Sequence, residues 1–215
     1  SDKSVDRRNI RAHYDIGNDF YALMLDPTMT YSCAVFERPE MSLADAQTAK
    51  LDRICQRREL SPADRIVEIG AGWGSFAVHA AARYGCHVTT TTISAAQHEY
   101  ASKRVADAGL AHLVTVLEED YRDLTGTFDK LVSIEMIEAV DWRDHDRFFE
   151  TCAGLLAPDG RAAVQAIVIA DESFERAKRH NDFIRHAIFP GGCLPSVTSI
   201  HASARRAGLH LVDLC

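Results

Sequence analysis

The chain has 215 residues, 47% of them hydrophobic and 26% charged, enough for one sizeable core plus an appendage. A net charge of -7 argues against nucleic acid as the main partner. No apolar run reaches the length of a membrane span and the N-terminus shows no secretory signal; the six scattered cysteines (Cys33, Cys55, Cys86, Cys152, Cys193, Cys215) contain no C-x-x-C, a reduced, cytoplasmic pattern rather than a disulfide or zinc framework, with no metal expected.

Residues 1–60 carry no alternation of strands and helices. A helix is expected to open near residues 6–10, and 20–25 read as a short helix stopped by Asp26 and Pro27. Ser42 caps a longer helix over 43–58, with Leu43, Ala46, Ala49 and Ile54 roughly on one face. This block reads as a helical lid over the mouth of a ligand site, and 61–215 as the domain that holds the ligand.

Residues 65–69 form a short β-branched apolar run that reads as a buried strand. Gly70, Gly72 and Gly74 then make a tight turn, and 76–84 read as the helix that follows. A strand, a glycine turn and a helix are the first half of a nucleotide-binding βαβ unit, with the ligand outside the carboxyl ends of the strands. A dinucleotide fold requires G-x-G-x-x-G and an acid on the next strand; here Ser75 breaks the spacing and strand two, 87–92, carries threonines. An acid, Glu68, directly before G-x-G-x-G is the usual opening of S-adenosylmethionine methyltransferases. A glycine turn that serves packing alone is the competing reading.

The alternation then continues as a doubly wound sheet requires. Ser94 and Gln97 form a capping box for a helix ending near 108–109; strand three is 113–117 and strand four 130–134. A helix over 143–155 and the turn Ala157-Pro158-Asp159-Gly160 lead into strand five, 161–169. Residues 171–186 read as a polar helix inserted as a cap (171–200), 189–192 as a loop, and 196–207 as a helix closed by Gly208. Residues 209–214 read as a further strand. The expected architecture is α/β, a Rossmann-like class I methyltransferase fold with a mostly parallel sheet. Such a sheet has one more antiparallel strand, so the chain is expected to be C-terminally incomplete.

The blocks HYDIGND (13–19), LDPTMTYSCAVFE (25–37), TTISAAQ (91–97), DYRDL (120–124), SIEMIEAV (133–140) and FIRHAIFPGGCLPS (183–196) go beyond a generic methyltransferase. With the glycine block, they make the chain resemble the cyclopropane fatty acid synthase family, including the mycolic acid cyclopropane synthases. The resemblance implies a cofactor site at Tyr31, Ser32, Glu68, Gly70, Ala71, Gly72, Trp73, Thr92, Ile93, Gln97, Asp120, Tyr121 and Arg122. It also implies a bicarbonate ion beside the transferred methyl, held by Cys33, Glu138, Gln165 and the backbone of Ile167. A final ligand, a tyrosine, would lie beyond Cys215. Gln165 and Ala139 replace histidines of the best-known members.

The implied activity is addition of a methylene or methyl group from S-adenosylmethionine to the double bond of an unsaturated phospholipid acyl chain or other lipid. An alkene is a poor nucleophile, so the sulfonium supplies the driving force and the protein aims the methyl away from water. Aromatic faces, with Phe20, Tyr21 and Tyr31 as candidates, would stabilise the cation that forms, and Glu138 and Gln165 would orient the basic anion that removes the proton. A methyltransferase for a small amine, hydroxyl or carbon acid, a dehydrogenase, and a non-catalytic lipid- or cofactor-binding module are the alternatives. Finally, Arg176, Lys178 and Arg179, with His180, Arg185 and His186, gather positive charge. They read either as a solvated helix face or as a peripheral contact with anionic headgroups.

Overall fold

In the computed structural model the described residues are 3, 17–179 and 191–215. The expected helix near 6–10, most of the 13–19 block, and His180, Arg185 and His186 lie outside them, as does the start of the 189–192 loop.

Five segments pair into one parallel sheet: β1 (Arg65–Ile69), β2 (His87–Thr92), β3 (Val114–Glu118), β4 (Phe128–Ile134) and β5 (Leu156–Gln165), in the order β3-β2-β1-β4-β5. β1 lies at the centre, and Ile66 and Val67, which point to opposite faces, are both fully buried. Burial on both faces is why a β-branched run without polar alternation forms this strand. The helices are α1 (Asn18–Met24), α2 (Leu43–Arg57), α3 (Ser75–Tyr84), α4 (Ala95–Asp107), α5 (His145–Leu155), α6 (Asp171–Ala177) and α7 (Val197–Arg206).

Two apolar clusters sandwich the sheet. One joins Leu51 and Cys55 of α2, Phe76 and Ala80 of α3 and Val105 of α4 to Ile66 and Val88. The other joins Phe148, Phe149 and Cys152 of α5 and Ile200 of α7 to Val67 and Leu131. Helices on both faces of a parallel sheet are the doubly wound, class I methyltransferase arrangement expected from the sequence.

Local chemistry sets the helix ends. The Ser42 hydroxyl accepts from Asp45 N at 3.1 Å and starts α2. At α7 Ser196 and Ser199 form a complete reciprocal capping box. The expected box at α4 is only half made: Ser94 Oγ accepts from Gln97 N at 3.3 Å, but Gln97 Oε1 accepts from Thr92 Oγ1 at 2.8 Å. The Gln97 side chain therefore faces β2 and the ligand side of the sheet.

The structure departs from the sequence reading in four further places. β5 begins at Leu156, and the expected turn at 157–160 is carried as a bulge: the register passes from Phe128↔Leu156 to Lys130↔Arg161. β5 ends at Gln165, beyond which Ile169 makes a single isolated bridge to Ser196. Residues 209–214 are not a strand. Leu211, Val212 and Leu214 are 50%, 78% and 67% exposed and the segment joins no ladder among the described residues, and apolar composition cannot hold a strand without a partner for its backbone. Lys178 does not project from α6 as a headgroup contact: it pairs with Glu175 and lies 4.7 Å from the Trp142 ring and 5.2 Å from that of Phe174. Aromatic faces and a neighbouring carboxylate hold this cation against the protein. Among the described residues no helix is long and apolar enough to cross a membrane.

Candidate functional site

At the carboxyl end of β1 the chain turns sharply, and the turn is fixed by Gly70 N and Ala71 N donating to Thr91 O at 3.1 and 2.8 Å. A Cβ on Gly70 or Gly74 would press on Met136 or Ala101, at 3.1 and 3.2 Å. At Gly72, with φ +51°, a Cβ would meet nothing within 4 Å. Gly72 is therefore the glycine whose missing side chain leaves space for something other than protein. Just before the turn, Glu68 is 2% exposed and its Oε2 accepts from Thr90 Oγ1 at 2.6 Å. Burial pushes its carboxyl up to about 8, against the opposing effects of Thr90 and Lys50.

The turn opens on a cavity of about 540 Å³, within the range of small-molecule sites. Every residue expected in the cofactor or anion site lines it except Gln165, which stands behind Cys33. Along one side, Asp120 binds the backbone N and the guanidinium of Arg122 at 2.7–2.9 Å. That pairing holds the Asp120 carboxyl below its ordinary value despite burial, and sets the Arg122 guanidinium 5.7 Å from the Tyr121 ring.

The opposite wall is the extended segment after α1. Thr28 O accepts from Ser75 Oγ and from Arg104 Nη1, both at 2.7 Å. Ser32 O accepts from Gln47 Nε2 at 2.7 Å, and Ser32 Oγ from Lys50 Nζ. Buried and half-buried side chains of α2, α3 and α4 thereby staple an irregular stretch whose backbone would otherwise want water. The Trp73 ring lies 4.8 Å from that of Tyr21 and donates from Nε1 to Asn18 Oδ1 at 2.8 Å. Tyr31 stands at the edge of this cluster and lines the cavity. Of the three aromatics expected to face a cation, only Tyr31 lines the cavity: Tyr21 is buried under Trp73 and Phe20 is 46% exposed at the surface.

At the far end two carboxyls meet. Glu135 Oε1 accepts from Cys33 N and from Gln165 Nε2, both at 2.9 Å. Glu138 Oε1 accepts from Ile167 N, while its Oε2 is buried with no hydrogen-bond partner among the described residues. Burial pushes the Glu138 carboxyl up to about 7, and the charge of Glu135 adds to the shift. Lys50, 2% exposed, is pulled down to about 8 by burial, while the nearby charge of Glu135 favours its ammonium. The Cys33 thiol is pushed up to about 11 by burial and then by Glu135, so it is no thiolate nucleophile at neutral pH.

The chain matches the family described as mycolic acid cyclopropane synthetase over residues 1–215. It belongs to that family. It is 41% identical to the tuberculostearic acid methyltransferase UfaA1 of Mycobacterium tuberculosis over 215 residues, which cover 96% of this chain and 50% of that protein. It is 40% identical to the cyclopropane-fatty-acyl-phospholipid synthase of Escherichia coli over 194 residues, 90% of this chain and 48% of that one. The chain thus spans about half the length of these two relatives. The crystal structure of mycolic acid cyclopropane synthase CmaA1 complexed with SAH and CTAB superposes with a TM-score of 0.89 at 33% identity, covering 96% of this chain and 76% of that one.

Two residues of the site escaped the sequence reading. Glu135 sits in the SIEMIEAV block, but its place depends on a backbone at φ +49° that composition does not announce. Lys50 reads as one of the polar residues on an amphipathic helix, and only the tertiary structure buries it. Gly192 and Cys193 have a place here too. A Cβ on Gly192 would collide with the Glu138 carbonyl, and Cys193 N donates to Val140 O at 3.2 Å, so Gly192 and Cys193 pack directly on the Glu138 turn.

Proposed function

We propose that this chain binds S-adenosylmethionine and carries the catalytic centre of an enzyme that adds one carbon to the double bond of an unsaturated phospholipid acyl chain. The observation that supports this most is the division of one cavity into two chemically different ends. One end has the Gly72 space and buried Glu68, suited to an adenosyl amino acid; the other has paired carboxyls, Glu135 and Glu138, behind an apolar rim. A small polar acceptor would call for polar groups at the mouth, whereas Phe36, Leu43 and Ile167 line the cavity there and are 54%, 45% and 50% exposed.

When bound, the cofactor supplies an electrophilic methyl on a sulfonium. The protein's part is to hold, exclude water and remove a proton. Glu68 and the bare backbone at Gly72 would hold the polar half of the cofactor, with Gln97, Thr92 and Tyr121 lining the rest of its place. Tyr31 offers an aromatic face to the developing cation, and the two carboxyls provide negative charge where the proton must leave. The segment over 25–36 acts as the lid of this site. The exposed apolar rim lets an acyl chain enter from a membrane surface, so the protein works as a peripheral lipid enzyme. Incubating the whole protein with methyl-labelled S-adenosylmethionine and vesicles of unsaturated phospholipid should place label in the extracted acyl chains. Label in the headgroup, or transfer only to small amines or hydroxyls, would overturn the proposal.

A further inference from the structure

The corner formed by Cys33, Glu138, Gln165 and Ile167 is the place that the family resemblance assigns to a bicarbonate ion. In this chain the donors of that corner are already engaged by the protein's own carboxyls. Cys33 N and Gln165 Nε2 both donate to Glu135 Oε1 at 2.9 Å, and Ile167 N donates to Glu138 Oε1. Glu135 is held from its backbone side as well, its N donating to Gln165 O at 2.9 Å. It adopts φ +49°, a conformation costly for a residue with a Cβ. A strained residue held by three hydrogen bonds on a cavity wall points to placement for chemistry. Lys50, buried at the adjoining wall, supplies the opposite charge that such a carboxylate requires. A free anion entering here would compete with two carboxylates for the same N–H groups and would meet their like charge in a desolvated corner.

We propose that the Glu135 carboxylate stands in for the bicarbonate ion in this chain, and that it accepts the proton released when the transferred methyl closes onto the substrate. The proposal rests on the methyl-transfer reading above. In the step concerned, a C–H bond of the added methyl breaks and its electron pair forms the second carbon–carbon bond to the cationic carbon. The proton ends on Glu135, and no oxidant or further reactant enters. A proton beside a carbocation is strongly acidic, so position rather than base strength decides the outcome.

The test uses the whole protein and has a readout that does not depend on turnover. Carbon-13 bicarbonate is titrated into the parent and into Glu135→Gly, and binding is followed by line broadening and calorimetry. Glycine adopts φ +49° readily, so this variant should fold and leave two N–H donors open. The parent should show no saturable binding into the millimolar range and Glu135→Gly should gain it. Saturable binding by the parent overturns the proposal, as does a folded variant that gains none. In parallel, methyl incorporation into unsaturated vesicles is measured in carbon-dioxide-stripped buffer. The parent should be unchanged, whereas Glu135→Gln should lose about 100-fold in kcat with cofactor affinity kept. Parent turnover that falls on stripping and returns with bicarbonate sinks the proposal. A parent that transfers no methyl to lipid under any condition sinks the methyl-transfer reading instead, and the titration still decides the anion question.

Discussion

The two ends of the cavity are built in different ways. The glycine-turn end comes from residues close in sequence to the tips of three adjacent strands: Glu68 to Gly74 after β1, Thr92 to Gln97 after β2, and Asp120 to Arg122 after β3. Its polar groups are nearly all paired within the protein, as in the Asp120–Arg122 fork and the Thr92–Gln97 bond. The carboxyl end gathers Cys33, Lys50, Glu135, Glu138, Gln165 and Ile167 from stretches far apart in the chain. It keeps a strained residue, a buried oxygen on Glu138 without a partner among the described residues, and a buried lysine. The first end is satisfied within the protein, whereas the second keeps groups that a further molecule could complete.

The difference can be broken from either side. The largest effect is expected at Gly72→Val, which fills the open space and should abolish S-adenosylmethionine binding. Its new side chain starts in open space, so the fold should persist with about 1–3 kcal/mol lost to the positive φ. Calorimetry beside a thermal melt checks both, and parental affinity in a folded variant would remove Gly72 from the cofactor site.

Next comes Gly192→Ala, whose Cβ must displace the Glu138 carbonyl. It should cost about 2 kcal/mol in urea unfolding and lower product formation more than cofactor affinity. If both fall equally, the two ends are not separable.

Glu138→Gln should be milder in stability and slow product formation by about tenfold or more, because it places an N–H donor where negative charge faces a cation. With the Glu138 carboxyl pushed up to about 7, parental turnover should rise as pH climbs through that value, and the limb should vanish in the variant. A pH–rate profile shows whether it does.

The smallest effect is one of stability against pH. Glu68 is raised from 4.5 to about 8, so the folded state holds a proton that the unfolded state releases. The stability this contributes is complete below about 4.5 and is lost as pH rises through about 8. Glu68→Gln should therefore flatten the decline in Tm of the ligand-free protein across that window. An unaltered decline would mean that Glu68 is ionised and solvated.

The sequence by itself determined whatever depends on a few consecutive residues. A β-branched run followed by G-x-G-x-G made β1, its turn and α3. Ser42 and Ser196 set helix starts, and the glycine block with the YSCA and FPGG blocks carries the family resemblance. Only the tertiary structure decided what depends on distant neighbours. Residues 209–214 read as a strand but pair with no strand among the described residues. The Gln97 side chain left its own cap because Thr92 was nearer, and Lys178 found Trp142. Burial of Lys50, the left-handed turn at Glu135 and the capture of Cys33 N and Gln165 by its carboxylate follow from packing among four separated stretches. The physical reason is one of range: backbone propensity and capping act over three or four residues, whereas desolvation and charge pairing are set by whichever groups the fold brings within a few ångströms.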